Sequence, residues 1–158
     1  MLEVGKSVPN FCLPNQDKEE ICFRDIKGRW IVLYFYPRDN TPSCTVEACD
    51  FTEAISDFRG LGAIVLGISP DTPRKHRNFI AKNDLKVTLL ADESRELCKI
   101  FGVWRLKKNY GKTYMGVVRS TFLISPDGKI AFKWENIKVR RHIKNVKEKL
   151  VSLINATT

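Results

Sequence analysis

Apolar residues run without a break from Trp30 to Tyr36 and from Ala63 to Ile68, and the two runs stop at Pro37 and at Ser69-Pro70. Continuous β-branched and aromatic runs of this length predict strands buried on both faces. Between them Cys44, Ala48, Phe51, Ile55 and Phe58 recur at spacings of three and four, which is the apolar stripe of an amphipathic helix. A strand, a helix and a strand in this span make a βαβ unit, so the two strands are expected to be parallel.

A second helix is predicted from about Pro73 to Lys82, with a short strand following at Val87–Leu90. Leu97, Ile100, Phe101 and Trp104 mark one more helical face, ending near Gly102. Arg119–Ile124 and Lys129–Trp134 flank Ser125-Pro126-Asp127-Gly128, a tight-turn sequence, and so predict an antiparallel hairpin. Val139, Ile143, Val146, Leu150 and Leu153 close the chain as an amphipathic helix. Near the start, apolar residues around Cys12 and Cys22 enclose the polar stretch Asn15–Glu20 and suggest a small hairpin. With no repeat or linker visible, residues 1–158 are expected to form a single domain. The order resembles an α/β thioredoxin-like fold: a central mixed sheet flanked by helices, with a small N-terminal β-hairpin. Such a fold does not fix a function.

Composition narrows the class. With 43% hydrophobic and 10% aromatic residues in 158, the chain is of ordinary globular type. Five cysteines are an odd set at low density, and the first residues carry no apolar leader core, so a reducing, cytoplasmic setting is expected. The longest apolar run falls far short of the ~20 residues of a membrane span. The +9 charge, from 27 Lys+Arg against 18 Asp+Glu, gathers at Arg105–Lys108 and Lys138–Lys149. Interleaved with an apolar stripe and without a nucleic-acid motif, it reads as a solvated face; a basic binding module stays a remote alternative, and no nucleic-acid partner is expected. His76 and His142 lie in basic stretches that read as exposed, and Asp71, Asp92 and Asp127 read as turn and cap residues. Cys12 and Cys22, opposite each other across the hairpin, read as ordinary thiols, and no set of ligands suggests a metal.

The chemistry concentrates in Tyr36-Pro37-Arg38-Asp39-Asn40-Thr41-Pro42-Ser43-Cys44, between a buried strand and the first long helix. Thr41 suits the N-cap and Pro42 the first helical position. Cys44 then falls at the third position, where free backbone N–H groups and the helix dipole favour thiolate over thiol. The Thr41 hydroxyl is within reach of that sulfur or of an oxygen bound to it. Cys49 is rotated about 140° from Cys44 on an intact helix, with Cα atoms roughly 8–9 Å apart. A disulfide needs about 7 Å or less, so the pair can join only if the helix start unwinds.

Pro37-x-x-x-Thr41-x-x-Cys44 resembles the active-site pattern of peroxiredoxins, and the longer run through Thr45-x-Glu47-x-Cys49 resembles their bacterioferritin comigratory protein (peroxiredoxin Q) branch. Companions follow in order: Gly67-Ile68-Ser69, Leu89-Leu90-Ala91-Asp92, Phe101-Gly102-Val103-Trp104, Gly111-Lys112-x-Tyr114 and Arg119-Ser120-Thr121-Phe122-Leu123-Ile124. The resemblance implies a thioredoxin-dependent peroxidase for hydrogen peroxide and organic hydroperoxides, with Cys44 peroxidatic and passing through a sulfenic acid. It further implies that Arg119 holds thiolate and peroxide, Thr41 bonds the peroxide, Pro37 shields the sulfur and Glu47 orients Arg119. Cys49 matches the resolving cysteine of part of the branch, and the resulting disulfide is recycled by a thioredoxin-type dithiol. No cofactor is required, and a monomer or weak homodimer is expected. Resolution by Cys98 or by an external thiol stays open. A thioredoxin-like disulfide oxidoreductase is the other alternative, although such proteins usually carry Cys-x-x-Cys.

Overall fold

The computed structural model describes residues 2–157. The N-terminal hairpin is β1 (Cys12–Pro14) and β2 (Glu20–Cys22), followed by the short α1 (Phe23–Ile26). Next come β3 (Trp30–Phe35), α2 (Pro42–Gly60), β4 (Ala63–Ser69), α3 (Pro73–Asn83), β5 (Thr88–Ala91) and α4 (Glu96–Ile100). The chain ends with β6 (Trp104–Asn109), β7 (Lys112–Val117), β8 (Ser120–Ile124), β9 (Ile130–Trp134) and α5 (His142–Ala156).

The central sheet has the order β5-β4-β3-β8-β9. Its half β3, β4, β5 is parallel, and β8 and β9 join antiparallel, so the mixed sheet follows the expected thioredoxin-like order. Strand β3 is buried along its whole length and distributes its side chains alternately. Val32 and Tyr34 pack with α2, α3 and α5 through Cys44, Phe51, Phe79 and Val146. Ile31, Leu33 and Phe35 pack on the other face with Phe23, Leu97, Cys98 and Phe101. The sheet therefore separates two cores, and Cys44 belongs to the first.

Several features differ from the sequence expectations. Trp104 does not continue a helical face; it opens β6, which pairs with β7 as a separate two-stranded ribbon. This ribbon exposes Leu106, Tyr110, Tyr114 and Met115, so its pattern lacks the clean alternation of a half-buried strand. Helix α5 starts at His142, not near Val139. Both histidines are buried: His76 is fully enclosed with Phe79 on the inner face of α3, and His142 is 3% exposed. Cys12 and Cys22 are not ordinary thiols, because register places them opposite each other in the β1–β2 ladder and a disulfide joins them. Cys44, Cys49 and Cys98 are free.

Candidate active site

The loop from Tyr36 to Thr41 leaves the end of β3 and delivers Cys44 into the first turn of α2. Thr41 has the extended backbone of an N-cap and Pro42 follows as the first helical residue. The Thr41 hydroxyl, however, donates to the Arg38 carbonyl (2.9 Å) and makes no capping bond. Asn40 takes φ +63°, a left-handed conformation that asparagine tolerates, and turns the chain into the helix. The Thr45 amide donates to the Thr41 carbonyl (2.9 Å), so the amides of Ser43 and Cys44 lie ahead of that bond at the positive end of the helix.

Arg119, immediately before β8, reaches across to this turn. Its Nη2 donates to Cys44 Sγ at 3.0 Å and its Nη1 to Glu47 Oε1 at 2.6 Å. One rigid guanidinium thus holds the sulfur and the carboxylate of residues three apart on one helical face. Glu47 is fully buried, and its second oxygen, Oε2, has no hydrogen-bond partner. Burial raises its carboxyl to about 7, against the opposing pull of Arg119. His142, close enough to feel the Arg119 charge, shares a hydrogen bond of 2.8 Å between its Nε2 and the Thr121 hydroxyl. Burial, aided by the Arg119 charge, lowers it to about 4.

A cavity of about 610 Å³ opens beside Pro37 and Thr41, walled by Trp104, Lys107, Met115 and Val117 of the β6–β7 ribbon. Lys107 is a site residue that the sequence pattern did not single out. Its Nζ donates to the Val117 carbonyl (3.0 Å), and burial and Arg119 lower its pKa. A Cβ on Gly116 would lie 3.0 Å from Lys107 Cδ, so the bare glycine leaves room for the lysine stem.

A buried polar network anchors the loop from below. Tyr36 Oη donates to Asp39 Oδ1 (2.5 Å), and His76 Nδ1 sits 2.7 Å from Asp39 Oδ2. The other ring nitrogen of His76 faces the Leu90 carbonyl at 3.0 Å, which can only accept, so Nε2 carries a proton. The Asp39 amide donates to Asp71 Oδ2 (2.7 Å), which also accepts from Ser69 Oγ (2.8 Å). Asp71 is thus a buried loop anchor as well as a turn residue. Only the buried partners of His76, invisible in a basic local stretch, mark it as part of this assembly.

The remaining thiols are placed differently. Cys49 is half-buried against the Cys44-side core, and burial, Asp50 and Glu53 raise its thiol. Cys98 is fully buried in the opposite core; burial and Asp92 push its thiol far up. Helix α2 is continuous from Pro42 to Gly60, so Cys44 and Cys49 lie on an intact helix.

The arrangement of a helix-start thiol, a forked cation and free amides suits displacement at an electrophilic oxygen. The model of the AhpC/TSA family matches residues 4–133. Peroxiredoxin Bcp of Bacillus subtilis (strain 168) is 45% identical over 142 residues, covering 90% of each chain. Peroxiredoxin Bcp of Escherichia coli (strain K12) is 43% identical over 141 residues, covering 89% of this chain and 90% of that one. Among solved structures, Xanthomonas campestris Peroxiredoxin Q superposes with a TM-score of 0.89 at 37% identity, covering 96% of both chains. A mutant of Xylella fastidiosa PrxQ gives 0.93 at 34% identity, covering 98% of both. With its helix-start cysteine held by an arginine at the head of β8 on this fold, the chain belongs to the AhpC/TSA family, in its Bcp and peroxiredoxin Q branch.

Proposed function

We propose that the protein is a thiol-dependent peroxidase that reduces hydrogen peroxide and organic hydroperoxides through Cys44. The observation that carries this reading is the Arg119 Nη2 bond to Cys44 Sγ at 3.0 Å. In the proposed reaction the Cys44 thiolate attacks the terminal peroxide oxygen, the O–O bond breaks, and water or an alcohol leaves after taking a proton. Negative charge moves from sulfur toward the departing oxygen, and Arg119 with the helix-start amides stabilises it without reorganising. Pro37 limits water at the sulfur, Thr41 bonds the peroxide, and Glu47 fixes the angle of Arg119. The cavity of about 610 Å³ has room for an organic hydroperoxide as well as hydrogen peroxide. The Xanthomonas campestris bacterioferritin comigratory protein, at TM-score 0.88 and 36% identity, is described for alkyl peroxide reduction.

The sulfenic acid is resolved by Cys49. The first turns of α2 unwind, Cys49 attacks the Cys44 sulfur, water leaves, and a thioredoxin-type dithiol reduces the disulfide. The position of Cys98 in the opposite core disfavours it as the resolving thiol. No described helix is long and apolar enough to cross a membrane. The reading assigns the protein to the cytoplasm, where a thioredoxin-type dithiol is kept reduced, as a monomer or weak homodimer.

Peptide mapping by mass spectrometry after one equivalent of peroxide tests the scheme: the Cys44 peptide is expected linked to Cys49. Cys44→Ser is expected to abolish peroxide consumption. Cys49→Ser is expected to keep one oxidation of Cys44 and lose thioredoxin-coupled turnover. Near-wild-type turnover in Cys44→Ser would overturn the mechanism, and a Cys44–Cys98 link would overturn the assignment of Cys49.

A further inference from the structure

The N-terminal hairpin carries a closed disulfide in a chain whose other three cysteines are free. Its neighbours Leu13 and Ile21 pack against the core of Ile31, Leu33 and Phe35, on the sheet face opposite Cys44. Closure of this bond is therefore separate from the chemistry of Cys44 and Cys49. Cys12 is the more exposed half of the pair and Cys22 is only 3% exposed, so an incoming thiol approaches from the Cys12 side.

The same hairpin covers the outer edge of β5. Asn15, at the end of β1, bridges to Leu90, and Gln16 Oε1 accepts the outward-facing amide of Leu89 (3.1 Å). Leu90 in turn gives its carbonyl to His76, the partner of Asp39 in the active-site loop. The hairpin has only three residue pairs, and a ladder of that size is marginal by itself. The covalent bond adds to the bridge at Asn15 and the Gln16 contact a restraint that closes the hairpin on the sheet edge.

We propose that Cys12 and Cys22 form a second redox site, a dithiol–disulfide couple that exchanges with an external dithiol and sets how firmly the hairpin clamps the β5 edge. The inference rests on the proposed peroxidase function only for the class of reductant. A thiolate of the dithiol attacks Cys12 Sγ, the Cys12–Cys22 bond breaks, and Cys22 leaves as a thiolate that takes up a proton. The second thiol of the dithiol, deprotonated, attacks the mixed disulfide and releases Cys12, which is protonated in turn. Two electrons and two protons pass to the pair and the dithiol departs as a disulfide. The oxidised form of the same dithiol closes the pair by the reverse steps.

The test uses the full-length Cys44→Ser/Cys49→Ser variant, so that a failed peroxidase assay of the unsubstituted protein leaves the result readable. It is incubated with reduced thioredoxin under native conditions, alkylated and mapped by mass spectrometry, while hydrogen exchange follows the Leu89 amide. Both Cys12 and Cys22 are expected to become alkylated, to close again with oxidised thioredoxin, and to raise Leu89 exchange at least tenfold when open. A Gln16→Ala variant is expected to show fast Leu89 exchange in either redox state. A pair that stays closed until denaturant is added overturns the redox site, and opening with Leu89 exchange unchanged overturns its control of the edge.

Discussion

Asp39 Oδ2 lies 2.7 Å from His76 Nδ1, with side chains that are 3% and 0% exposed. This contact ties the loop that carries Pro37 and Thr41 to helix α3, 37 residues further along the chain. Removing either partner leaves a buried polar group without its counterpart. His76→Leu or Asp39→Ala is expected to cost about 3–5 kcal/mol of stability, read from urea unfolding. The double variant is expected to lose less than the sum of the two, and strict additivity would show that the pair is not coupled.

Glu47 and His142 predict opposing pH dependences. Glu47 rises from 4.5 to about 7, so the folded protein binds its proton more tightly and loses stability as pH climbs through that window. His142 falls from 6.5 to about 4, so the unfolded chain binds the proton more tightly and stability is gained as pH climbs from 4 to 6.5. Each contributes on the order of 3 kcal/mol, and over the shared range they largely cancel. Glu47→Gln is expected to leave stability rising with pH, and His142→Gln to leave it falling. Denaturant midpoints between pH 4 and 7.5 distinguish these from two unchanged profiles.

Arg119→Ala removes the donor to the Cys44 sulfur and the partner of a buried carboxylate at once. The second-order rate of sulfenic acid formation is expected to fall about 10²–10³-fold in stopped-flow measurement. Arg119→Lys is expected to recover little of it, since one ammonium lacks the fork that spans both partners. Recovery to near the original rate would mean that charge alone is needed.

Gly67 and Tyr34 form a tight pair in the core. A Cβ on Gly67 would stand 2.6 Å from Tyr34 Cζ and 2.8 Å from Leu89 Cδ2, so Gly67→Ala is expected to cost about 1–3 kcal/mol. The Tyr34 hydroxyl is buried without a hydrogen-bond partner. Tyr34→Phe is therefore expected to leave stability unchanged or raise it by up to about 1 kcal/mol, as thermal unfolding would show.

What could be read from the sequence follows the reach of each signal. The β3 and β4 runs and the α2 stripe were legible because burial and period act over a few residues. Cys44 was legible because cap, proline and cysteine are adjacent. Arg119, 75 residues away, came into view only through family resemblance, and the structure places it on the sulfur. The histidines read as exposed because neighbouring lysines and arginines describe the outer faces of their helices, whereas His76 shares the inner face of α3 with Phe79 and His142 packs edge-on against Trp134. The sequence places Cys12 opposite Cys22 across the hairpin, but an odd, sparse set of cysteines points to a reducing setting and so to free thiols, whereas the structure joins them. The β6–β7 ribbon escaped because it packs as a flap over the site and not as part of the main sheet.

The first two turns of α2 carry Cys44 and Glu47, with Arg119 bridging them. Under the proposed cycle, unwinding those turns to join Cys44 to Cys49 also withdraws Glu47 from its enclosure. The oxidised enzyme thus disarms itself: forming the product disulfide takes apart the very pocket that captured the peroxide. Readiness for the next turnover is then set by how fast a stretch of helix coils back into place.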